Sequence, residues 1–347
     1  MFKELILWSE QNYSYLPWRK NRSLYNTLVS EIMLQQTTVG TVLNHFEQFI
    51  MKYPTIFDLA NISEEQILID WKGLGYYRRA RNLLNAAKEI VENYGGEIPT
   101  DYTKLVSIKG IGAYTANAII SIGAKNKALS VDANLERVLS RLYGLKSPKG
   151  TELQKSIYEK FNKAEICHED KGLSYRALNE SIMDLGRTTC RARSTNCELC
   201  PMKSNCYSFK NNTQNSLPIS TDKKTESTLN KYLELSLLRL IIKNEKGEFL
   251  TFKKSSNQWL TGQYELPTFI LSSDDEKLNQ YPKIKDKDRF FYLDSFKTSI
   301  TKYKITNYIL HSEYDEIYDY LDTSTKYEWS SNIKVLSTSS QKALRRT

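Results

Sequence analysis

Four of the five cysteines in this chain fall within seventeen residues, spaced Cys190-x6-Cys197-x2-Cys200-x5-Cys206. This run constrains the fold more than any other feature. The first residues, MFKELILWSEQ, carry an acid within four positions and no long apolar core, so no signal peptide is expected. No stretch reaches the length of a membrane span. The expectation is a cytoplasmic protein without membrane contact, in which crowded cysteines mean metal rather than disulfides. Zinc favours two CxxC pairs, or Cys mixed with His. Here there is one CxxC, no nearby His, and Pro201 directly after the third cysteine. The loop 190–206 is therefore expected to hold a [4Fe–4S] cluster on Cys190, Cys197, Cys200 and Cys206, with structural zinc as the alternative. Cys167 stands apart and reads as a small hydrophobe. Arg187, Arg191, Arg193 and Lys203 surround the loop, and a net charge of +9 permits a polyanionic partner without requiring one.

Everything upstream reads as helix. Phe2, Leu5, Ile6 and Trp8 mark an amphipathic start, followed by the turn Leu16-Pro17-Trp18-Arg19-Lys20. Residues 24–52 read as a helix pair, the first containing SEIMLQQTTV. Within it Glu31 abuts Ile32, Met33 and Leu34; a carboxyl partly buried there has a raised pKa, while the ordinary expectation is a solvated helix charge. Residues 54–95 continue in the same style around Trp71-Lys72-Gly73-Leu74-Gly75-Tyr76-Tyr77-Arg78-Arg79. Aromatics beside arginines suit base stacking with phosphate pairing, and equally a helix start with core aromatics.

The segment Ile108–Asn134 opens on Gly110-Ile111-Gly112, runs through an apolar helix from Tyr114 to Ile122, and ends on Asp132. Two glycines at this spacing allow a tight turn, and the helix that follows points unpaired N–H groups and its positive dipole end at whatever lies outside. That geometry suits one backbone phosphate. A plain helix-turn-helix is the other reading, and Asp132 alone reads as a helix N-cap. Residues 135–186 are again helical, with Gly186 as a C-cap.

The style changes after residue 210. NNTQNSLPISTDKKTESTLN is polar and aperiodic and reads as a linker over 211–228. YLELSLLRLII and EFLTFKK read as strands about the turn Lys243–Gly247, followed by RFFYLDSF and YKITNYIL. The second domain, 229–347, is expected to be α+β, with a frayed tail from Gln341.

Together, Glu31 in SEIMLQQT, the WKGLGYY segment 71–77, Gly110–Gly112 with Asp132 in VDAN, and the cysteine spacing resemble the helix-hairpin-helix DNA glycosylases of the endonuclease III superfamily, and most closely its MutY-type adenine glycosylases. The resemblance covers nearly the whole chain, with 1–210 matching motif by motif. Trp259-x4-Tyr264-Glu265-Leu266-Pro267 looks like a segment of the NUDIX-like domain that such enzymes carry. The implied fold is an all-α helix-hairpin-helix glycosylase domain with an iron–sulfur loop, followed by a smaller α+β NUDIX-like domain. The implied function is removal of adenine opposite 8-oxoguanine or guanine in double-stranded DNA, by a monomer.

The resemblance also implies roles. Glu31 would protonate N7 of adenine as a general acid, and Asp132 would stay ionised to stabilise the oxocarbenium ion, directly or through a transient adduct. Asn134 would orient Asp132 or a phosphate, and Tyr114 would line the pocket. Tyr114 stands where lyases of the superfamily carry a nucleophilic lysine, and a tyrosine forms no Schiff base, so a monofunctional enzyme is implied. Leu16, Trp18 and Arg19 would wall the adenine pocket, and Glu180 would read the base edge. Base flipping would use Gln36 and Tyr76 as wedges. Lys109, Gly110 and Gly112 would grip phosphate. Ile305-Thr306-Asn307 aligns with the Phe-Ser-His finger of the family, making Thr306 and Asn307 candidates for lesion contact. Residues 262–290 lack the glutamate box of a NUDIX hydrolase. Two other readings compete: an endonuclease III-like glycosylase for oxidised pyrimidines or mismatched thymine, and a non-catalytic iron–sulfur DNA binder or redox sensor. The latter needs neither Glu31 nor Asp132.

Overall fold

Helix α3 (Leu24–Leu34) is buried on every side from Tyr25 to Met33. A helix apolar all round belongs in an interior, and this one takes Asn26, Thr27, Ser30 and Glu31 in with it. Ser23 caps its start by accepting from the backbone N–H of Asn26. The computed structural model describes residues 2–167, 174–220, 232–284 and 294–346. Its contacts divide into two compact units, Met1–Ile62 with Gly73–Lys223, and Ser63–Lys72 with Lys224–Thr347. Among the described residues the chain is all-helical up to α13 (Tyr207–Asn211), and an α+β part with two sheets follows.

In the first unit, α1 (Phe2–Tyr13) and α2 (Pro17–Lys20) precede α3. Then come α4 (Val39–Lys52), α5 (Ile56–Ala60), α7 (Arg78–Tyr94), α8 (Tyr102–Ser107) and α9 (Ala113–Ala118); α6 (Glu64–Asp70) groups with the second unit. The run expected as one helix from Tyr114 to Ile122 is α9 followed by a wider π turn, Ile119–Gly123. α10 (Ala133–Tyr143), α11 (Thr151–Asn162), α12 (Tyr175–Thr188) and α13 (Tyr207–Asn211) complete the unit. One core cluster unites Phe2, Leu5 and Ile6 of α1 with apolar residues of α10, α11 and α12. Cys190, Cys200 and Cys206 pack against its edge. Cys167 lies inside it, and burial pushes its thiol up to about 12.

Two expectations are corrected here. Gly186 does not cap α12; it sits two residues inside the helix, where an added Cβ would come within 3.0 Å of the Asn134 Cβ. Its smallness lets α10 and α12 approach. The stretch expected to be linker begins anchored: Leu217 is buried, its carbonyl accepts from Arg141 Nε at 2.9 Å, and Ile219 bridges to Pro148. Residues 221–228 of it lie outside the described residues.

The second unit holds two sheets. One has strand order β4-β1-β6-β5, from β1 (Leu233–Ile241), β4 (Thr268–Ser273), β5 (Asp294–Ile300) and β6 (Tyr303–His311), with β1 and β6 parallel. The other is β3-β2-β7, from β2 (Phe249–Lys253), β3 (Tyr264–Glu265) and β7 (Tyr327–Ser330). The turn at Lys243–Gly247 thus joins strands of different sheets. The strand-like run at 289–296 is described only from Asp294. The tail is not frayed: α15 (Thr338–Leu344) buries Ala343 against Ile241, Leu266, Phe296 and Ile309, and α14 (Tyr314–Ile317) lies between β6 and β7. Among the described residues, no helix is long and apolar enough to cross a membrane.

Candidate active site

A cavity of about 360 Å³ opens beside α3. Glu31 and Tyr114 line it together with Asp132 and Asn134. Leu16 just before α2, Trp18 and Arg19 within α2, and Glu180 of α12 line it as well. Residues far apart in the sequence meet in this one space.

Glu31 is 5% exposed, and burial drives its pKa up from 4.5 to about 7. The Tyr114 hydroxyl donates to Glu31 Oε2 at 2.6 Å and opposes that rise; the charges of Asp132 and Glu180 add to it. Burial and the neighbouring carboxylates push the Tyr114 phenol upward in turn, so Tyr114 stays a donor. Asp132 is the N-cap of α10. Its Oδ1 accepts from the backbone N–H groups of Asn134 and Leu135 at 2.9 and 2.8 Å, and its Oδ2 accepts from Asn134 Nδ2 at 2.8 Å. Three donors and the positive end of α10 converge on this one carboxylate. Cap and candidate catalytic carboxylate are the same group.

Supports outside the cavity fix this arrangement. Asn134 Oδ1 accepts from Arg137 Nη2 at 2.9 Å, and the same guanidinium donates to the carbonyls of Gly186 and Cys190. Asn179, fully buried on α12, accepts from the Ser130 N–H and donates to the Ala128 carbonyl, pinning the segment that delivers Asp132. Arg176 caps the π turn through the carbonyls of Ile122 and Gly123.

Glu180 is not free in the cavity. Arg22 grips its carboxylate with both nitrogens at 2.8 and 3.1 Å, and Arg19 Nε lies 3.7 Å away. Arg19 Nη1 donates to Asp184 Oδ2 at 2.8 Å, and Arg187 pairs with the other oxygen of Asp184. Arg22, Arg137, Asn179 and Asp184 were not anticipated. The spacing of Glu180 and Asp184, one helical turn apart in ALNESIMDLGR, was the available signal for two carboxylates on one face.

The remaining candidates lie elsewhere. Gln36 and Tyr76 both have left-handed backbones, φ +53° and +46°, and Tyr76 is 62% exposed. The hairpin between α8 and α9 turns at Gly110, φ +98°, where a Cβ would come within 2.9 Å of the Asn82 carbonyl oxygen. Gly112 is the N-cap of α9 at an ordinary φ of −90°, with open space where its Cβ would be. Lys109 is exposed, and its backbone N–H donates to Glu89. Asn307 is corrected as a contact residue. It is fully buried in β6, accepts from Arg239 Nε at 2.8 Å and donates to Thr298 Oγ1, so nothing of it is left for a partner. The period of two puts Ile305, Asn307 and Ile309 on the buried face; Thr306, on the other, is half-buried.

The four thiols share one corner of the helical unit. Burial pushes Cys200 up to about 11 and raises Cys206, with the other cysteines of the set adding to both. Arg141 Nη1 lies 3.5 Å from Cys190 Sγ, a cation placed to balance thiolate charge. Among the described residues no three His, Cys, Asp or Glu close on a metal as they stand. The donor set suits a soft metal or cluster, whose binding would relieve the thiolate repulsion.

The HhH-GPD superfamily of base excision DNA repair proteins matches residues 29–163. The adenine DNA glycosylase of Buchnera aphidicola subsp. Schizaphis graminum (strain Sg) is 33% identical over 263 residues, covering 75% of this chain and 70% of that protein. The chain belongs to the adenine DNA glycosylase family. The adenine DNA glycosylase of Buchnera aphidicola subsp. Acyrthosiphon pisum (strain APS) is 28% identical over 323 residues, 90% of this chain and 85% of that protein. A solved thermostable thymine-DNA glycosylase superposes with a TM-score of 0.52 at 28% identity, over 60% of this chain and 94% of its own. The span matching the HhH-GPD superfamily contains Glu31, Tyr114, Asp132, Asn134 and the hairpin. The Arg19–Glu180–Asp184 wall and the cysteine loop of this adenine DNA glycosylase family member lie outside it.

Proposed function

We propose that this enzyme releases adenine mispaired with 8-oxoguanine, or with guanine, from double-stranded DNA, as a monomeric and monofunctional glycosylase. The observation that carries the reading is one buried carboxyl whose pKa is raised to about 7, Glu31, sharing a cavity with a second carboxyl, Asp132, that accepts three hydrogen bonds. A buried proton donor and a second carboxyl facing the same cavity are the two groups that N-glycosidic cleavage needs.

Glu31 delivers its proton to N7 of the flipped adenine. The C1′–N9 bond breaks with its electron pair leaving on the base, and water adds to the cationic sugar, giving its proton to the Glu31 carboxylate left by the first transfer. Asp132 stabilises that cation, and Asn134 keeps Asp132 aimed. Arg22 and Arg19 hold Glu180 at the cavity wall, where its oxygens meet the adenine amino group. Leu16 and Trp18 flank the base. Gln36 and Tyr76 wedge into the stack, and Lys109, Gly110 and Gly112 grip the backbone.

Cys190, Cys197, Cys200 and Cys206 fit a [4Fe–4S] cluster by donor type and shared corner. Such a cluster would brace the basic loop, and Arg141, 3.5 Å from Cys190 Sγ, would supply compensating charge. The chain reads as a glycosylase domain at 1–210 and a NUDIX-like domain at 229–347, with the start of the segment between them anchored to the first at Leu217 and Ile219. With Asn307 buried, half-buried Thr306 is the remaining candidate for lesion contact in that domain. The test is strand cleavage: incised product from an adenine:8-oxoguanine duplex should appear only after alkali. Efficient incision by pure protein alone would overturn the monofunctional reading.

A further inference from the structure

We infer that Arg79 is a positioning residue that holds the loops of Gln36 and Tyr76 in wedge-ready conformation; this rests on the proposed wedge role of those two side chains. Arg79 is buried near the start of α7, where the positive end of the helix dipole disfavours a cation. Burial also pulls its pKa down. A guanidinium in so poor a place is held by its acceptors.

Those acceptors come from two loops. Nη1 donates to the Ile32 and Met33 carbonyls at 2.9 and 2.7 Å, in the last turn of α3. Such carbonyls lack intrahelical partners. Nη2 donates to Thr37 Oγ1 at 2.7 Å and to the Leu74 and Gly75 carbonyls at 2.9 and 3.1 Å. One planar fork thus brackets Gln36 from both sides and fixes the two peptides just before Tyr76.

Gln36 and Tyr76 are the residues whose backbones need fixing. Both adopt left-handed φ without being glycine, a conformation that persists only where the surroundings over-determine it. The guanidinium also lies 5.7 Å from the Tyr76 ring centre, so it orients ring as well as backbone. Thr37, held by Nη2, lines the base cavity, so one group ties both wedge loops to the wall the flipped base must pass. Lysine cannot replace it, because an ammonium cannot span both sets of carbonyls.

The test compares the parent enzyme with Arg79→Lys, Arg79→Met, Gln36→Ala and Tyr76→Ala. A duplex with 2-aminopurine at the target position reports extrusion by fluorescence, and single-turnover adenine release reports chemistry against pH. Arg79→Lys should slow extrusion roughly tenfold to a hundredfold. Duplex affinity should change little and the pH midpoint of release should stay in place, since Glu31 is untouched. A merely structural defect would disturb the packing around Glu31 and move that midpoint. Extrusion at the parental rate in Arg79→Lys, or a moved midpoint, overturns the proposal. Arg79→Lys retains charge and bulk, so it decides the matter even if Arg79→Met fails to fold. If Gln36→Ala and Tyr76→Ala extrude normally, the wedge reading itself fails; if they are slow and Arg79→Lys is not, only the Arg79 proposal fails.

Discussion

The Tyr114 hydroxyl and Glu31 Oε2 are 2.6 Å apart, and this bond is the leading contact that lowers the pKa of the most strongly displaced carboxyl in the cavity. Removing it in Tyr114→Phe leaves burial less opposed. The pKa of Glu31 should rise above about 7, and the alkaline limb of the release rate should move to higher pH. An unmoved or acid-shifted limb would show that the bond does not govern the acid.

Glu31→Gln should abolish proton delivery and cost roughly a hundredfold to ten-thousandfold in adenine release. It should also stabilise the protein in alkali. The native pKa of about 7 exceeds the ordinary 4.5, so the native state favours the protonated form. Stability is fully present below 4.5 and is lost as pH rises through about 7. The full deficit is about 3 kcal/mol, and glutamine does not incur it. Urea unfolding at pH 8 should favour Glu31→Gln, and the difference should vanish at pH 4. A variant less stable at pH 8 would contradict the burial account.

Asp132 both caps α10 and serves the sugar cation, and two substitutions separate these roles. Asp132→Asn keeps a capping oxygen, so its melting should stay near the parent while release is lost. Asp132→Ala should lose release and, in addition, about 1 kcal/mol of stability. Retained activity in Asp132→Asn would remove the ionic role.

The candidate pair came from the ordered motifs and the family resemblance, because local pattern alone left Glu31 a solvated helix charge and Asp132 a helix N-cap. Glu31 is embedded in apolar residues of one helix, and Asp132 stands before a helix that needs a cap. The hairpin was legible through Gly110, whose φ of +98° only glycine tolerates well. Pairings across the fold were not. Arg19 with Asp184 and Arg22 with Glu180 are separated by more than 150 positions, and no local spacing announces which carboxylate each arginine takes. Asn307 shows the opposite failure. A polar residue in a strand looked available, yet β1 runs alongside β6 and Arg239 claims its amide. Ala343 was hidden for a similar reason: its short polar helix is stable only because three strand residues and Leu266 cover it.

Metal chemistry offers a separate check. Protein purified without oxygen should show a visible iron–sulfur band, and Cys200→Ser should lose the band and melt earlier. Cys167→Ser should keep it, because Cys167 is buried within the core cluster and is not one of the four loop thiols. A colourless protein with one zinc per chain would replace the cluster by structural zinc.

In the second unit Glu265 is fully buried, with Arg239 Nη1 at 3.4 Å and Lys254 Nζ at 3.6 Å, and it accepts from Tyr281 and Ser337. Those cations hold its pKa below the carboxylate range against burial, and burial pulls Lys254 down to about 8. Glu265→Ala leaves two cations buried without their anion and should cost about 3–5 kcal/mol. Calorimetry should place that loss in the transition of the second unit. A loss under about 1 kcal/mol, the range of an exposed pair, would show that water enters the cluster.

The most direct measurement is single-turnover adenine release from matched duplexes carrying adenine opposite 8-oxoguanine, guanine or thymine, followed by alkali. Fast release opposite 8-oxoguanine, slower release opposite guanine and none opposite thymine is the result expected. Equal release from all three duplexes, or release of oxidised pyrimidine or mismatched thymine in place of adenine, would contradict it.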